Sequence, residues 1–78
     1  MNSALPLSQM PVGHKARVVT LMLDGFSRRR ILDMGLIPGT VVEVLRRSPL
    51  GDPTAYRIRG SVIGLRKEEA SRIIVENQ

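Results

Sequence analysis

Cysteine is absent from this chain of 78 residues, and with it go disulfides, thiolate metal sites and cysteine nucleophiles. Such a chain suits a reducing compartment, and a cytoplasmic location is expected. Histidine is scarce as well, since His14 stands alone. A zinc tetrad or a two-histidine, one-carboxylate iron site needs several convergent ligands. No metal site is therefore expected within one copy, and His14 reads as a turn residue that could ligate only between molecules or with help from carboxylates. The aromatic residues are Phe26 and Tyr56, thin support for stacking single-stranded bases or lining a proline-peptide groove. No stretch approaches about 18 consecutive apolar residues, and Met1 to Met10 lacks the basic and apolar segments of a signal peptide. Neither membrane insertion nor export is expected.

Catalytic equipment is missing in the same way. The glycines at 35, 39, 51, 60 and 64 are spaced as turn markers, and none begins a GxxxxGK[ST] run. Ser27 and Ser71 have no evident base partner, and Asp24, Asp33 and Asp52 fall in turns or at helix ends, where capping is the usual role. The expectation is a chain with no catalytic residues, no cofactor and no enzymatic activity.

What the chain does carry is positive charge. Twelve Lys and Arg face seven Asp and Glu, a formal net charge of +5. Most of the bases are Arg, and such a field steers association toward acidic or phosphate-rich partners. The length allows one domain, residues 1–78 with a core of about 5–76, and most apolar residues of so small a domain are needed for that core.

Met10-Pro11-Val12-Gly13 reads as a turn with Pro second and Gly fourth. The run Lys15 to Leu23 is a first strand, apolar on both alternating sets, Val19/Leu21/Leu23 and Val18/Met22, so its inward face does not follow from period alone. Either face could pair with a copy of itself, and homo-oligomerisation is left open. Asp24 and Gly25 end the strand. Ser27 is the expected N-cap of a short helix reaching Met34, with Gly35 as its left-handed C-terminal cap. Arg28, Arg29 and Arg30 would then lie in the first turn, where the helix dipole disfavours cations, a placement that points to use in binding.

Ile37-Pro38-Gly39-Thr40 has the pattern of a type II turn. Val41 to Arg46 and Thr54 to Arg59 alternate as half-buried strands, joined by Ser48-Pro49-Leu50-Gly51-Asp52-Pro53, a stiff loop that should expose Leu50. Gly60-Ser61 closes a hairpin into Val62 to Leu65. Lys67 to Ser71 is one helical turn, and Ile73 to Glu76 is the last strand. The fold class is mainly β. About five short strands, with a helix between strands 1 and 2 and a helical turn before the last strand, are the parts of a small SH3-like barrel; an open sheet with the helix packed on it is the two-layer alternative.

The segment Arg30-Ile31-Leu32-Asp33-Met34-Gly35-Leu36-Ile37-Pro38-Gly39 resembles the helix-to-strand signature of the FeoA family. Ser48 to Pro53 resembles that family's central loop, and Leu65-Arg66-Lys67-Glu68-Glu69-Ala70 with Ile73 to Glu76 its closing segment. The three occur in order over about Val12 to Glu76. The resemblance implies an SH3-like cytosolic accessory protein of bacterial ferrous iron uptake, acting with FeoB, a membrane permease that carries an N-terminal G domain. It places the chain in iron transport and transition-metal biology as a regulator that binds a protein. Similar barrels end iron-dependent repressors, but no DNA-binding domain is expected before this one, which disfavours that role. The expected partner-binding residues are Arg28, Arg29, Arg30 and Leu50. The alternative is a basic nucleic-acid-binding barrel, with Arg28 to Arg30, Arg46, Arg47, Arg57 and Arg59 as a phosphate-tracking stripe.

Overall fold

The computed structural model describes residues 4–78. Its strands are β1 (Ala4–Pro6), β2 (Lys15–Leu21), β3 (Val41–Arg47), β4 (Thr54–Ile58), β5 (Ser61–Leu65) and β6 (Ile73–Asn77). Helix α1 (Gly25–Asp33) lies between β2 and β3, and the single turn α2 (Lys67–Ala70) lies between β5 and β6. The strands form one antiparallel sheet in the order β1-β6-β2-β3-β4-β5. A 3-10 turn, Leu7–Gln9, follows β1 and contacts α2 beyond β5. The two ends of the sheet are thereby brought together, and its inner face closes around one hydrophobic cluster. No helix among the described residues is long and apolar enough to cross a membrane.

The ambiguity of the first strand has a structural answer. Ala16 and Val18 point inward, but so do Leu21 and Leu23, while Val19 and Met22 face out. Val18 pairs with Val75 and Thr20 with Ile74, leaving Val19 as an extra residue. This β-bulge switches the phase of the strand, so neither alternating set is the core set along its whole length. A second register shift falls between Val44 and Arg46 of β3. Such bulges bend a sheet enough to let a short one close.

The start of α1 departs from the sequence expectation. Its N-cap is Asp24, in extended conformation, and the helix begins at Gly25. Ser27 is the third helical residue rather than the cap. The bases Arg28 to Arg30 therefore lie beyond the first three positions, and Arg30 falls in the last turn, where the dipole favours a cation. The expected electrostatic conflict does not arise.

The far end of α1 follows the expectation. The Leu36 N–H donates to Ile31 O at 3.3 Å and the Gly35 N–H to Leu32 O at 2.9 Å, the paired bonds of a Schellman cap. Gly35 takes φ +98°, and the flanking Ile31 and Leu36 are fully buried. The turn at Pro38-Gly39 is likewise as read, with the Thr40 N–H donating to Ile37 O at 3.0 Å and Gly39 at φ +94°.

Other turns slide by one residue. The N-terminal turn is Pro11 to His14, closed by the His14 N–H on Pro11 O, so Gly13 is its third residue, at φ +91°. The β4–β5 hairpin turns on Arg59-Gly60, both at positive φ, with Ile58 opposite Ser61. Strand β1 is a sixth strand that the sequence did not reveal.

Candidate functional site

Leu50 is 95% exposed at the tip of the β3–β4 loop. A leucine that touches almost nothing contributes little to the fold, and its apolar surface is available to another molecule. The loop beneath it is held at defined points. The Gly51 N–H donates to Ser48 O at 2.8 Å, the Ser48 N–H to Pro53 O at 3.1 Å, and the Lys67 N–H at the start of α2 to Asp52 Oδ1 at 2.8 Å. Asp52 thus caps a helical turn fifteen residues away in sequence.

The three consecutive arginines separate into two kinds. Arg30 forms an ion pair with Glu69 of α2, and Glu69 also accepts the Arg66 N–H at 3.1 Å. Arg28 and Arg29 are exposed and form no ion pair among the described residues. With Gly25, Leu32 and Asp33 they line a shallow depression of about 350 Å³ on the outer side of α1. Two exposed apolar groups adjoin it in sequence, Met22 at 65% and Phe26 at 82% exposure. Phe26 and Arg29 are three residues apart and share a helix face. Sequence reading did not single out these two, although a Phe placed between a strand-ending Asp-Gly and a run of bases is an available signal.

Of the four predicted partner-binding residues, Arg28 and Arg29 line the depression on α1 and Leu50 is not among its lining, while Arg30 is paired within the fold. What the two regions share is α2: Arg30 joins it from α1, and Asp52 joins it from the loop.

The proposed phosphate-tracking stripe is also partly engaged. Arg57 lies 3.8 Å from Glu43, its cross-strand partner. Arg47 Nη2 donates to Met10 O at 3.1 Å and Ser8 O at 3.5 Å, fastening β3 to the segment after β1. Tyr56 is only 1% exposed, which leaves Phe26 and the imidazole of His14 as the exposed aromatic rings among the described residues. Burial raises the pKa of the Tyr56 hydroxyl, against the nearby Arg47 guanidinium and Thr54 hydroxyl, which lower it. No group of three or more His, Asp or Glu among the described residues is placed to hold a metal ion.

A bent antiparallel sheet closed on itself, with a short helix packed at one side and a stiff exposed loop, defines a small SH3-like β-barrel module. The FeoA domain model matches residues 5–77, and the chain belongs to the FeoA domain family, which is associated with ferrous iron transport. It is 40% identical over 70 residues to an Fe(2+) transport protein A/Fe(2+) transporter FeoB fusion protein of Porphyromonas gingivalis. The match covers 90% of this chain but 8% of that much longer protein. Iron(II) transport protein A from Clostridium thermocellum has the same fold, with a TM-score of 0.90 at 37% identity over 94% of this chain and 45% of that one. FeoA of Stenotrophomonas maltophilia, solved with zinc and described as a prokaryotic SH3 domain protein, gives 0.81 at 25% identity, covering 91% of this chain and 88% of that one.

Proposed function

We propose that the chain is a cytoplasmic accessory subunit of ferrous iron uptake that docks on the cytosolic domains of a FeoB-type permease and regulates it. The observation that carries this reading is the Porphyromonas gingivalis fusion protein, in which a domain similar to this chain is joined covalently to the transporter. Covalent joining of two parts in one protein is a pattern of parts that work in contact.

The exposed groups suit such a contact. Leu50 supplies an apolar anchor, and Arg28 and Arg29, flanked by Phe26, supply charge for an acidic surface. Arg enriches interfaces because its planar fork can engage a carboxylate through two bonds. Arg30 contributes indirectly, by fixing α1 against α2.

Co-expression with the permease and affinity capture of the complex tests this reading. The native chain is expected to co-purify, and the triple variant Arg28→Glu, Arg29→Glu, Leu50→Ala to be lost from the complex, with iron uptake falling in parallel. Uptake and capture that both survive the triple substitution would assign the contact elsewhere on the barrel. Failure of the native chain to co-purify would remove the docking reading itself.

The nucleic-acid reading finds less support. Base stacking needs exposed rings, and the burial of Tyr56 takes away half of the aromatic inventory.

A further inference from the structure

A second cavity, of about 360 Å³, lies between the β3–β4 loop and α2, away from the outer side of α1. Ser8, Arg47, Gly51, Thr54, Tyr56 and Lys67 line it. This set is two cations, three hydroxyl-bearing residues and a glycine, with no carboxylate among them. Neither cation is ion-paired among the described residues.

Arg47 is also held in place from behind. Its Nη2 donates to the main-chain oxygens of Met10 and Ser8. A guanidinium has five N–H donors, so the Nε and Nη1 protons remain for another acceptor. Anchoring at one edge orients the group before anything binds, which reduces the ordering cost of binding. Tyr56 and Thr54 are buried, so their positions are set by the core.

Asp52 is the acidic group that must be weighed against this set. One of its carboxylate oxygens accepts the Lys67 N–H, and it acts on Tyr56 in the sense opposite to Arg47. At the tyrosine hydroxyl the influence of Arg47 is the larger of the two. Burial remains the largest influence on that hydroxyl and disfavours its ionised form, so the case for an anion rests on the two cations lining the cavity.

We infer that this cavity is a binding site for a small oxyanion, a phosphate or a carboxylate group, held by Arg47 and Lys67. Charge-assisted bonds from a guanidinium and an ammonium are the stronger class of hydrogen bond, and hydroxyl groups can complete the shell of an oxyanion. The site does not depend on the docking reading, and it is tested on the isolated chain.

The experiment is a titration of the ¹⁵N-labelled chain at constant ionic strength with sodium phosphate, with sodium acetate, and with sodium chloride as reference, followed through the amide resonances. Saturable shifts centred on Ser8, Arg47, Gly51, Thr54, Tyr56 and Lys67 are expected with an oxyanion and not with chloride. Saturation by phosphate alone identifies a phosphate group as the ligand, and saturation by acetate a carboxylate. Lys67→Gln, on an exposed side chain, should weaken binding about tenfold, the usual scale for losing one charged donor. Tyr56→Phe keeps the buried ring and should weaken binding less. No saturable response to either oxyanion, the same response to chloride, or unchanged affinity in Lys67→Gln would overturn the assignment; the spectra themselves report whether each variant is folded.

Discussion

Two segments of this chain carry nearly the same turn vocabulary and serve different ends. Residues 34–40 contain Gly35, Pro38 and Gly39; residues 48–53 contain Pro49, Gly51 and Pro53. In the first, the backbone is bonded into the barrel. The Gly39 N–H donates to Val18 O at 2.8 Å, the Val18 N–H to Thr40 O at 2.9 Å, and the cap of α1 buries Ile31 and Leu36. In the second, the bonds run within the loop and to α2, and the one large apolar side chain, Leu50, stands in solvent. Proline and glycine set the backbone in both segments. The destination of the backbone bonds and the burial of the neighbouring apolar residues together distinguish scaffold from presented surface.

Substitutions in the two regions put that contrast to the test. The largest effect should come from Ile31→Ala, which empties a fully buried position in the core; loss of a buried side chain this size costs about 2–5 kcal/mol. A fall in the urea midpoint at unchanged slope is the expected result, and a loss below about 1 kcal/mol would mean that this segment is not scaffold. Next comes Asp52→Ala, which removes the acceptor for the first N–H of α2. Loss of such a cap costs about 1 kcal/mol, and amide exchange at Lys67 should accelerate in the variant. The smallest effect is expected from the Arg30–Glu69 pair. With the arginine 43% and the glutamate 17% exposed, a double-mutant cycle should return a coupling of about 0.2–1 kcal/mol, shrinking with added salt.

Much of the fold was legible because its signals are local. Gly35 and Gly39 need positive φ, the alternation of Val42 and Val44 or Tyr56 and Ile58 marks core faces, and Pro49 with Gly51 marks a presented loop. What escaped depends on partners distant in the chain. The bulge at Val19 is defined by pairing with β6, and a three-residue strand containing Pro6 has no period to read. Ser27 resembled a cap because serine caps often, yet the N-cap position falls to Asp24, another residue type common there, which holds it by its extended backbone and without a side-chain bond.

The candidate site was legible in the same proportion. The exposure of Leu50 followed from its position between turn residues. The division of the arginines did not, because Glu69 lies thirty-nine residues beyond Arg30 and only the folded chain brings them together. The oxyanion cavity escaped for the same reason, since Ser8, Arg47 and Lys67 are far apart in sequence.

Under the docking proposal, Leu50 serves a partner and not the fold. Isothermal titration of the permease's cytosolic domain with the native chain and with Leu50→Ala, alongside urea unfolding of both chains, tests it most directly. Stability should stay within about 0.5 kcal/mol while affinity falls about tenfold or more, as for an apolar anchor lost from an interface. Unchanged affinity with a clear loss of stability would contradict it.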